Sequence, residues 1–172
     1  MFAGDLLNQC ISSTYGLRDL DIPFLGLFGA CSTMAEGIIS ASLFVDAGLA
    51  NRAVAVTSSH FCTAERQFRL PLEYGGQRTP TSQWTVTGSG AVLIGCDENK
   101  PKIRTVTIGK ITDLGITDAN NMGAAMAPAA CSTIKTYFDD TKELIENFDA
   151  IVTGDLGLVG SRLLCELLDR EG

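Results

Sequence analysis

The sequence predicts an α/β fold in which short buried strands alternate with helices. Residues 24–28 (Phe-Leu-Gly-Leu-Phe) and 53–57 (Ala-Val-Ala-Val-Thr) are apolar runs of the length typical of buried strands. Between them, Ile38, Ser42 and Val45 recur at helical spacing. Such a strand–helix–strand unit implies a pair of parallel strands joined by a right-handed crossover.

The first half of the chain is predicted to contain three further features. Residues 4–17 are expected to be helical, since their apolar side chains share one stripe. Pro23 forces the preceding residue into an extended conformation and so separates this helix from the first strand. The central helix is expected over 31–48, with Gly48 just beyond its carboxyl end.

The second half continues the alternation after the polar, proline-closed linker 97–101. Strands are predicted at 88–95, 103–111 and 150–154, and helices at 124–138, 139–147 and 159–168. The helix at 33–45 carries a single charge, Glu36, so we expect other layers to cover it on both sides.

Composition excludes several classes of function. The chain has 172 residues, 45% of them apolar, and a net charge of −7, which disfavours a nucleic-acid partner and leaves little attraction to anionic lipid. Its six cysteines form no CxxC pair, so we expect a reduced intracellular setting and no zinc site. No apolar run reaches the roughly 20 residues of a transmembrane segment. The abrupt start and end predict a fragment.

The segment Gly29-Ala30-Cys31-Ser32-Thr33 is the main candidate site, because it lies where a strand hands over to a helix. The positive end of the helix dipole favours the thiolate of Cys31. Small neighbours let the backbone approach a bound molecule. The alternative is a buried structural cysteine, which is the more common role of this residue type.

Several runs resemble known proteins. The cysteine segment is similar to the nucleophile segment of thiolase-fold condensing enzymes, and residues 87–94 are similar to the glycine-rich strand that ends their first lobe. Longer runs resemble one branch, the stage V sporulation protein AD family of spore-forming bacteria: 57–69, 71–78, 120–129 and 152–157. The resemblance extends over essentially the whole chain.

This resemblance implies a thiolase-like αβαβα layered fold of two similar lobes, present here incompletely. Residues 1–97 would hold most of the first lobe and residues 98–172 the beginning of the second. The family resemblance also implies a homodimer.

For function, the resemblance implies a non-catalytic protein that binds dipicolinic acid for its uptake into the developing spore and its release on germination. It implies a peripheral location on the cytoplasmic side of the spore inner membrane, beside membrane transport proteins of the same operon. No cofactor is expected; the ligand is a small aromatic dicarboxylate, free or as its calcium chelate.

Catalysis by this chain is disfavoured by what the condensing enzymes require. Their thiolate works with His or Asn partners from the second lobe. Here residues 151–157 contain no histidine, and Asp155 would disfavour an enolate. The one histidine, His60, lies in the first lobe. The alternative function is a Cys-dependent acyl-condensing or acyl-transfer enzyme of the 3-oxoacyl synthase type with Cys31 as nucleophile.

A planar dicarboxylate is bound by backbone N–H groups, hydroxyls and cations. Cys31, Ser32 and Thr33 offer the first two, and the predicted cations are His60, Arg66, Arg69 and Arg78. Each arginine is alternatively a solvated or ion-paired surface residue, and no metal site is predicted. A third possible role for the chain is an assembly surface for spore membrane proteins.

Overall fold

The computed structural model describes residues 1–6, 10–59, 78–84 and 86–171. The chain forms two compact units, one drawn from Met1–Gln67 and Thr85–Val106 and the other from Phe68–Trp84 and Thr107–Gly172. The lobe boundary between residues 97 and 98 stays a prediction.

The first unit is built on a four-stranded sheet with the order β2–β1–β3–β4. Its strands are β1 (Phe2–Asp5), β2 (Leu25–Leu27), β3 (Arg52–Ser59) and β4 (Gly88–Gly95). Strand β1 pairs in parallel with both β2 and β3, and β4 runs antiparallel to β3. The predicted strands at 24–28, 53–57 and 88–95 are therefore confirmed.

Strand β1 corrects two expectations from the sequence. Residues 4–17 are not one helix, because Phe2–Asp5 is a fully buried strand and helix α1 covers only Ile11–Leu17. The strands β2 and β3 run in the same direction, but β1 lies between them, so they are not neighbours. Four residues are too few for period-2 alternation to be distinguished from the start of a helical stripe.

Helix α2 (Thr33–Asp46) follows a 3₁₀ turn at Ala30–Ser32 and packs on one face of the sheet. Thr33, Gly37 and Ala41 are its buried residues, and a β-carbon at Gly37 would lie 3.1 Å from the β-carbon of Ala55 in β3. Gly48 has φ +70°, which confirms the predicted position beyond the helix end.

The opposite side of α2 is not covered as the sequence suggested. Among the described residues, Leu43 remains 48% exposed, whereas the ring of Phe44 packs edge-on against Phe2 of β1. The helix therefore buries a single stripe of small residues within this unit.

Helix α1 lies on the other face of the sheet. Residues that pair across the sheet share a face, so Gly4, Leu27 and Thr57 face α2 whereas Gly26 faces away. The sulfur of Cys10, at the start of α1, lies 3.8 Å from where Gly26 would carry a β-carbon. The two helices thus sandwich the sheet of the first unit.

The second unit is organised by helices α3 (Met122–Thr141) and α4 (Gly157–Glu171). They pack around a core of Ala127, Cys131, Leu156 and Leu164. The predicted helices at 124–138 and 159–168 are confirmed with longer bounds. None of the helices in the described ranges has the length and apolar character needed to cross a bilayer.

Three predicted elements of the second half are wrong. Residues 103–111 and 150–154 are described throughout and form no strand, and 139–147 holds only the end of α3 and a 3₁₀ turn at Ile145–Asn147. Apolar alternation supplies one face of a strand but not the neighbouring strand with which its backbone must pair.

Candidate ligand-binding site

Cys31 lies in the sharp turn that joins β2 to α2. Ala30 has φ +49°, in the left-handed region that residues with a β-carbon rarely adopt. Cys31 follows it and is exposed. The structure therefore contradicts the alternative of a buried structural cysteine, and it confirms a strand–turn–helix setting.

Hydrogen bonds within the turn hold this shape. The Gly29 N–H donates to Thr33 Oγ1 (3.1 Å), and the Thr33 hydroxyl donates to the carbonyl of Ala30 (2.9 Å). The hydroxyl of Ser32 donates to the carbonyl of Gly29 (2.8 Å). Both predicted ligand hydroxyls thus form bonds to the turn's own backbone.

Thr33 differs from its neighbours in burial. Only 1% of it is exposed, and its methyl group packs against Gly4 in β1. Its role as a ligand residue stays a prediction, whereas its contacts show that it anchors the turn to the sheet. Ser32 is exposed beside Cys31.

The turn belongs to the edge of the sheet at which the parallel strands end. The strand order reverses between β1 and β3, since the chain moves outward from β1 to β2 and then returns to β3 on the other side. In open α/β sheets, ligands bind in the crevice outside the carboxyl ends of the strands at such a reversal. Here those ends are Asp5 and Ser58, which are paired in register.

Sequence reasoning missed the polar residues at this edge. Asp5 is only 3% exposed. Among the residues that the structure describes, the hydroxyl oxygens of Ser13, Ser58 and Ser59 are buried and have no hydrogen-bond partner. The Ser-Ser pair at the end of a predicted strand was the available signal; nothing in the sequence marked Ser13.

Arg78 belongs to the second unit, whereas the Cys31 turn belongs to the first. Its guanidinium carbon is 3.0 Å from the ring centroid of Trp84, and its Nη1 donates to the carbonyl of Gln83 (3.2 Å). Trp84 is 68% exposed. The contact places a cation on an accessible aromatic ring.

Asp155 lies two residues before the start of α4. Its carboxylate accepts hydrogen bonds from the N–H groups of Trp84 (2.6 Å) and Gly157 (2.9 Å). The amides of Leu158 and Val159 at the start of α4 donate to the carbonyl of Pro80 (3.2 and 3.4 Å). Asp155 thus attaches residues 80–84 to the start of α4.

The remaining predicted residues, His60, Arg66 and Arg69, lie outside the described residues. Within the described ranges, no group of three or more His, Cys, Asp or Glu side chains could hold a metal ion. A groove of about 520 Å³ lies between α1 and the chain leading into β2. None of the predicted ligand residues lines this groove. Its lining residues are Thr14, Leu17, Arg18, Asp21, Ile22, Pro23 and Phe24.

Comparison with known proteins decides the family. The family described as stage V sporulation protein AD (SpoVAD) matches residues 1–172. The chain belongs to the SpoVAD family. It is 53% identical over 172 residues to the stage V sporulation protein AD of Bacillus subtilis (strain 168), covering all of this chain and 51% of that relative.

Membership in the SpoVAD family confirms the resemblance predicted from the sequence, and with it the thiolase-like α/β class, incomplete in this chain. The chain spans about half the length of the curated relative it matches. The chain thus belongs to a family of sporulation proteins, and its Cys31 turn lies at the carboxyl edge of the parallel strands.

Proposed function

We propose that this chain carries the ligand-binding edge of a non-catalytic SpoVAD-family protein, which binds dipicolinic acid for uptake into the developing spore and release on germination. The observation that carries the proposal is the setting of Cys31. It is exposed at the carboxyl edge of the parallel strands β1, β2 and β3, at the start of α2. The positive end of a helix favours an anion such as a carboxylate.

The second unit supports a binding role over condensation. Asp155 stands where a condensing enzyme needs an imidazole, and both of its carboxylate oxygens accept backbone hydrogen bonds. A carboxylate held in this way is an anchor for the chain. It offers no proton donor or neutral acceptor for a reacting thioester.

Calcium enters the proposal through the charge of the edge. Asp5 is buried at the end of β1, and Glu36 Oε2 lies 2.9 Å from where Gly29 would carry a β-carbon. These two carboxylates repel a ligand that itself carries two negative charges. We therefore include in the proposal that the ligand binds as its calcium chelate, whose charge is reduced.

Family membership supports the wider biological setting of the proposal. In it, the protein is a homodimer, peripheral on the cytoplasmic side of the spore inner membrane, and its partners are membrane transport proteins of the same operon.

Calorimetric titration of the 172-residue chain with dipicolinate, with and without calcium, tests the proposal. We expect saturable binding that is weakened at least tenfold by Cys31→Trp, because the larger side chain fills the space above the turn. The matched control is Cys165→Trp, at an exposed cysteine of the second unit, which should bind normally. Absence of saturable binding by the folded wild-type chain would overturn the proposal.

A second candidate, a Cys-dependent acyl-transferring enzyme, is favoured by one observation. The left-handed Ala30 directly before an exposed Cys31 resembles the strained turn that presents a nucleophile. Incubation with an acyl-CoA followed by mass spectrometry distinguishes the two. Selective acylation of Cys31 over the exposed Cys96 supports the enzyme, and equal or absent labelling supports the binding protein.

A further inference from the structure

The segment at the end of α3 presents large apolar side chains to solvent around the 3₁₀ turn at Ile145–Asn147. Leu144 is 64% exposed, Ile145 is 58% exposed and Phe148 is 38% exposed. Ile145 and Phe148 are three residues apart across the turn, so their side chains lie on the same side of it. Neighbouring apolar side chains that stay exposed in this way are typical of an interaction surface.

Contacts within the second unit hold this apolar patch in place. The ring of Phe148 packs edge-on against Tyr137 and Phe138 of α3, with ring centroids 5.8 and 5.6 Å away. The N–H of Phe148 also donates to the carbonyl of Ile145 (3.1 Å). A partner would therefore meet a preformed surface and would lose little free energy in ordering it.

The same segment is strongly acidic. Five acidic residues and one lysine lie between residues 139 and 149, which gives the segment a net charge of −4 in a chain whose total is −7. Within the described ranges, none of these five carboxylates forms a salt bridge. All five residues are exposed: Asp139, Asp140, Glu143, Glu146 and Asp149. We call residues 139–149 the acidic turn.

The charge of the acidic turn indicates which kind of surface fits it. Anionic lipid head groups and nucleic-acid phosphates are repelled by its carboxylates. A protein segment with lysine or arginine beside apolar side chains would neutralise the carboxylates and cover Leu144, Ile145 and Phe148. Cytoplasmic segments of membrane proteins have this composition, because they are enriched in lysine and arginine next to their apolar spans.

We propose that the acidic turn docks a basic cytoplasmic segment of a membrane protein, with apolar side chains of that segment on Leu144, Ile145 and Phe148. The proposal rests on the proposed function for the location of the protein at the membrane. The acidic turn belongs to the second unit, whereas the Cys31 turn belongs to the first. Docking and ligand binding therefore use different residues and can be altered separately.

Fluorescence anisotropy of a labelled amphipathic peptide of lysine and leucine, titrated with the 172-residue chain, tests the proposal. The triple variant Glu143→Gln/Glu146→Gln/Asp149→Asn should weaken binding of this peptide about tenfold, because three exposed ion pairs are lost. The side chain of Asn147 donates to Glu143 (2.8 Å), and the amide introduced by Glu143→Gln can still accept this bond. A peptide with glutamate in place of lysine should not bind.

The matched control neutralises three exposed carboxylates elsewhere in the chain, in the triple variant Glu98→Gln/Glu166→Gln/Asp169→Asn. Its affinity for the lysine peptide should stay within about twofold of wild type, because distant exposed charges are screened by salt.

A second pair of variants tests the apolar part of the surface. Ile145→Ser should weaken binding of the lysine peptide about fivefold, because apolar area that the peptide covers is lost. Ile111→Ser, at a fully exposed isoleucine of the same unit, should leave the affinity unchanged.

The outcomes separate docking from the proposed function. Equal weakening in the two triple variants, or no binding of the lysine peptide by the folded wild-type chain, overturns the docking proposal. Binding of the wild-type chain to phosphatidylglycerol vesicles that is lost in the acidic-turn variant also overturns it, in favour of a lipid surface. Dipicolinate titration is the independent readout: the acidic-turn variant should bind dipicolinate as wild type does, and failure of the wild-type chain to bind it overturns the proposed function alone.

Discussion

The methyl group of Thr33 occupies the space that a side chain at Gly4 would fill. A β-carbon at Gly4 would overlap Thr33 Cγ2 and lie 2.5 Å from the carbonyl oxygen of Leu27. Thr33 also accepts the Gly29 N–H, so one residue connects the central strand to the Cys31 turn. The position of the exposed thiol therefore depends on a glycine in β1.

Gly4→Ala should destabilise the chain by about 1–3 kcal/mol, because the added methyl group meets backbone as well as a side chain. Chemical denaturation measures this, and the labelling rate of Cys31 by a maleimide should change in the same variant. Gly16→Ala in α1 is the control, since nothing lies within 4 Å of its β-carbon position. Equal stability of the two variants would contradict the close packing of Thr33 on β1.

The contact between Arg78 and Trp84 should be visible in fluorescence, since the chain has one tryptophan. Arg78→Ala removes the guanidinium from the ring, so acrylamide should quench Trp84 more strongly and the emission maximum should shift to the red. Arg52→Ala, on β3, serves as control and should change neither quantity. Identical quenching in wild type and Arg78→Ala would show that the stack does not form.

Asp155→Ala should cost about 1–2 kcal/mol of unfolding free energy, because two backbone N–H groups lose their acceptor. Asp155→Asn retains one acceptor oxygen and should lose less. Urea denaturation measures both, with Asp169→Ala on the exposed side of α4 as the comparison. Equal midpoints for Asp155→Ala and Asp169→Ala would remove the anchoring role of Asp155.

Helices α3 and α4 touch at two glycines, and this close crossing should tolerate no larger residue. A β-carbon at Gly160 would lie 2.6 Å from the α-carbon of Gly123. Gly160→Ala should therefore lower the melting temperature by several degrees, in keeping with an overpacking cost of about 1–3 kcal/mol. Gly154→Ala, with open space around it, should not; a Gly160→Ala chain as stable as wild type would refute the crossing.

One exposed ion pair gives a pH dependence of known sign. The hydrogen bond to Glu171 raises the pKa of Lys135, and the hydrogen bond from Lys135 lowers the pKa of Glu171. The stabilisation by Glu171 is therefore present above its unfolded pKa and is lost as the pH falls through its lowered folded value. That by Lys135 is complete below 10.5 and is lost as the pH rises through its raised value.

The side chains of Lys135 and Glu171 are 44% and 52% exposed, so the effect should be small and weakened by salt. Thermal unfolding of wild type and Lys135→Met should differ most at neutral pH and low ionic strength, and the curves should converge at acidic pH as Glu171 becomes protonated. A difference that grows on acidification would contradict the assigned shifts.

Sequence patterns predicted those helices and strands whose own residues show the spacing or the end residue typical of the element. Helix α2 combined helical spacing with Gly48 at its end, and the structure shows both. Strand β1 was missed because its burial comes from neighbours on both sides rather than from a long apolar run. Residues 103–111 have the pattern of a strand, but a strand also needs a partner to bond with.

The residues of the candidate site also differ in whether the sequence could predict them. The Cys31 turn was predictable because a strand, small residues and a helix follow one another along the chain. Ser13 and Ser58 were not, since they are distant in sequence and their unpaired hydroxyls are a property of packing between α1 and β3.

The small side chains at Gly37 and Ala55 have a consequence for how the site could evolve. They set the separation between α2 and the sheet, and Thr33, where the Cys31 turn passes into α2, lies about 6 Å along the helix axis from Gly37 at 1.5 Å per residue. One added methyl group at position 37 would act as a wedge, lifting the helix and tilting its first turn away from the crevice. Gly37 thus controls the position of the Cys31 turn although it lies between α2 and the sheet.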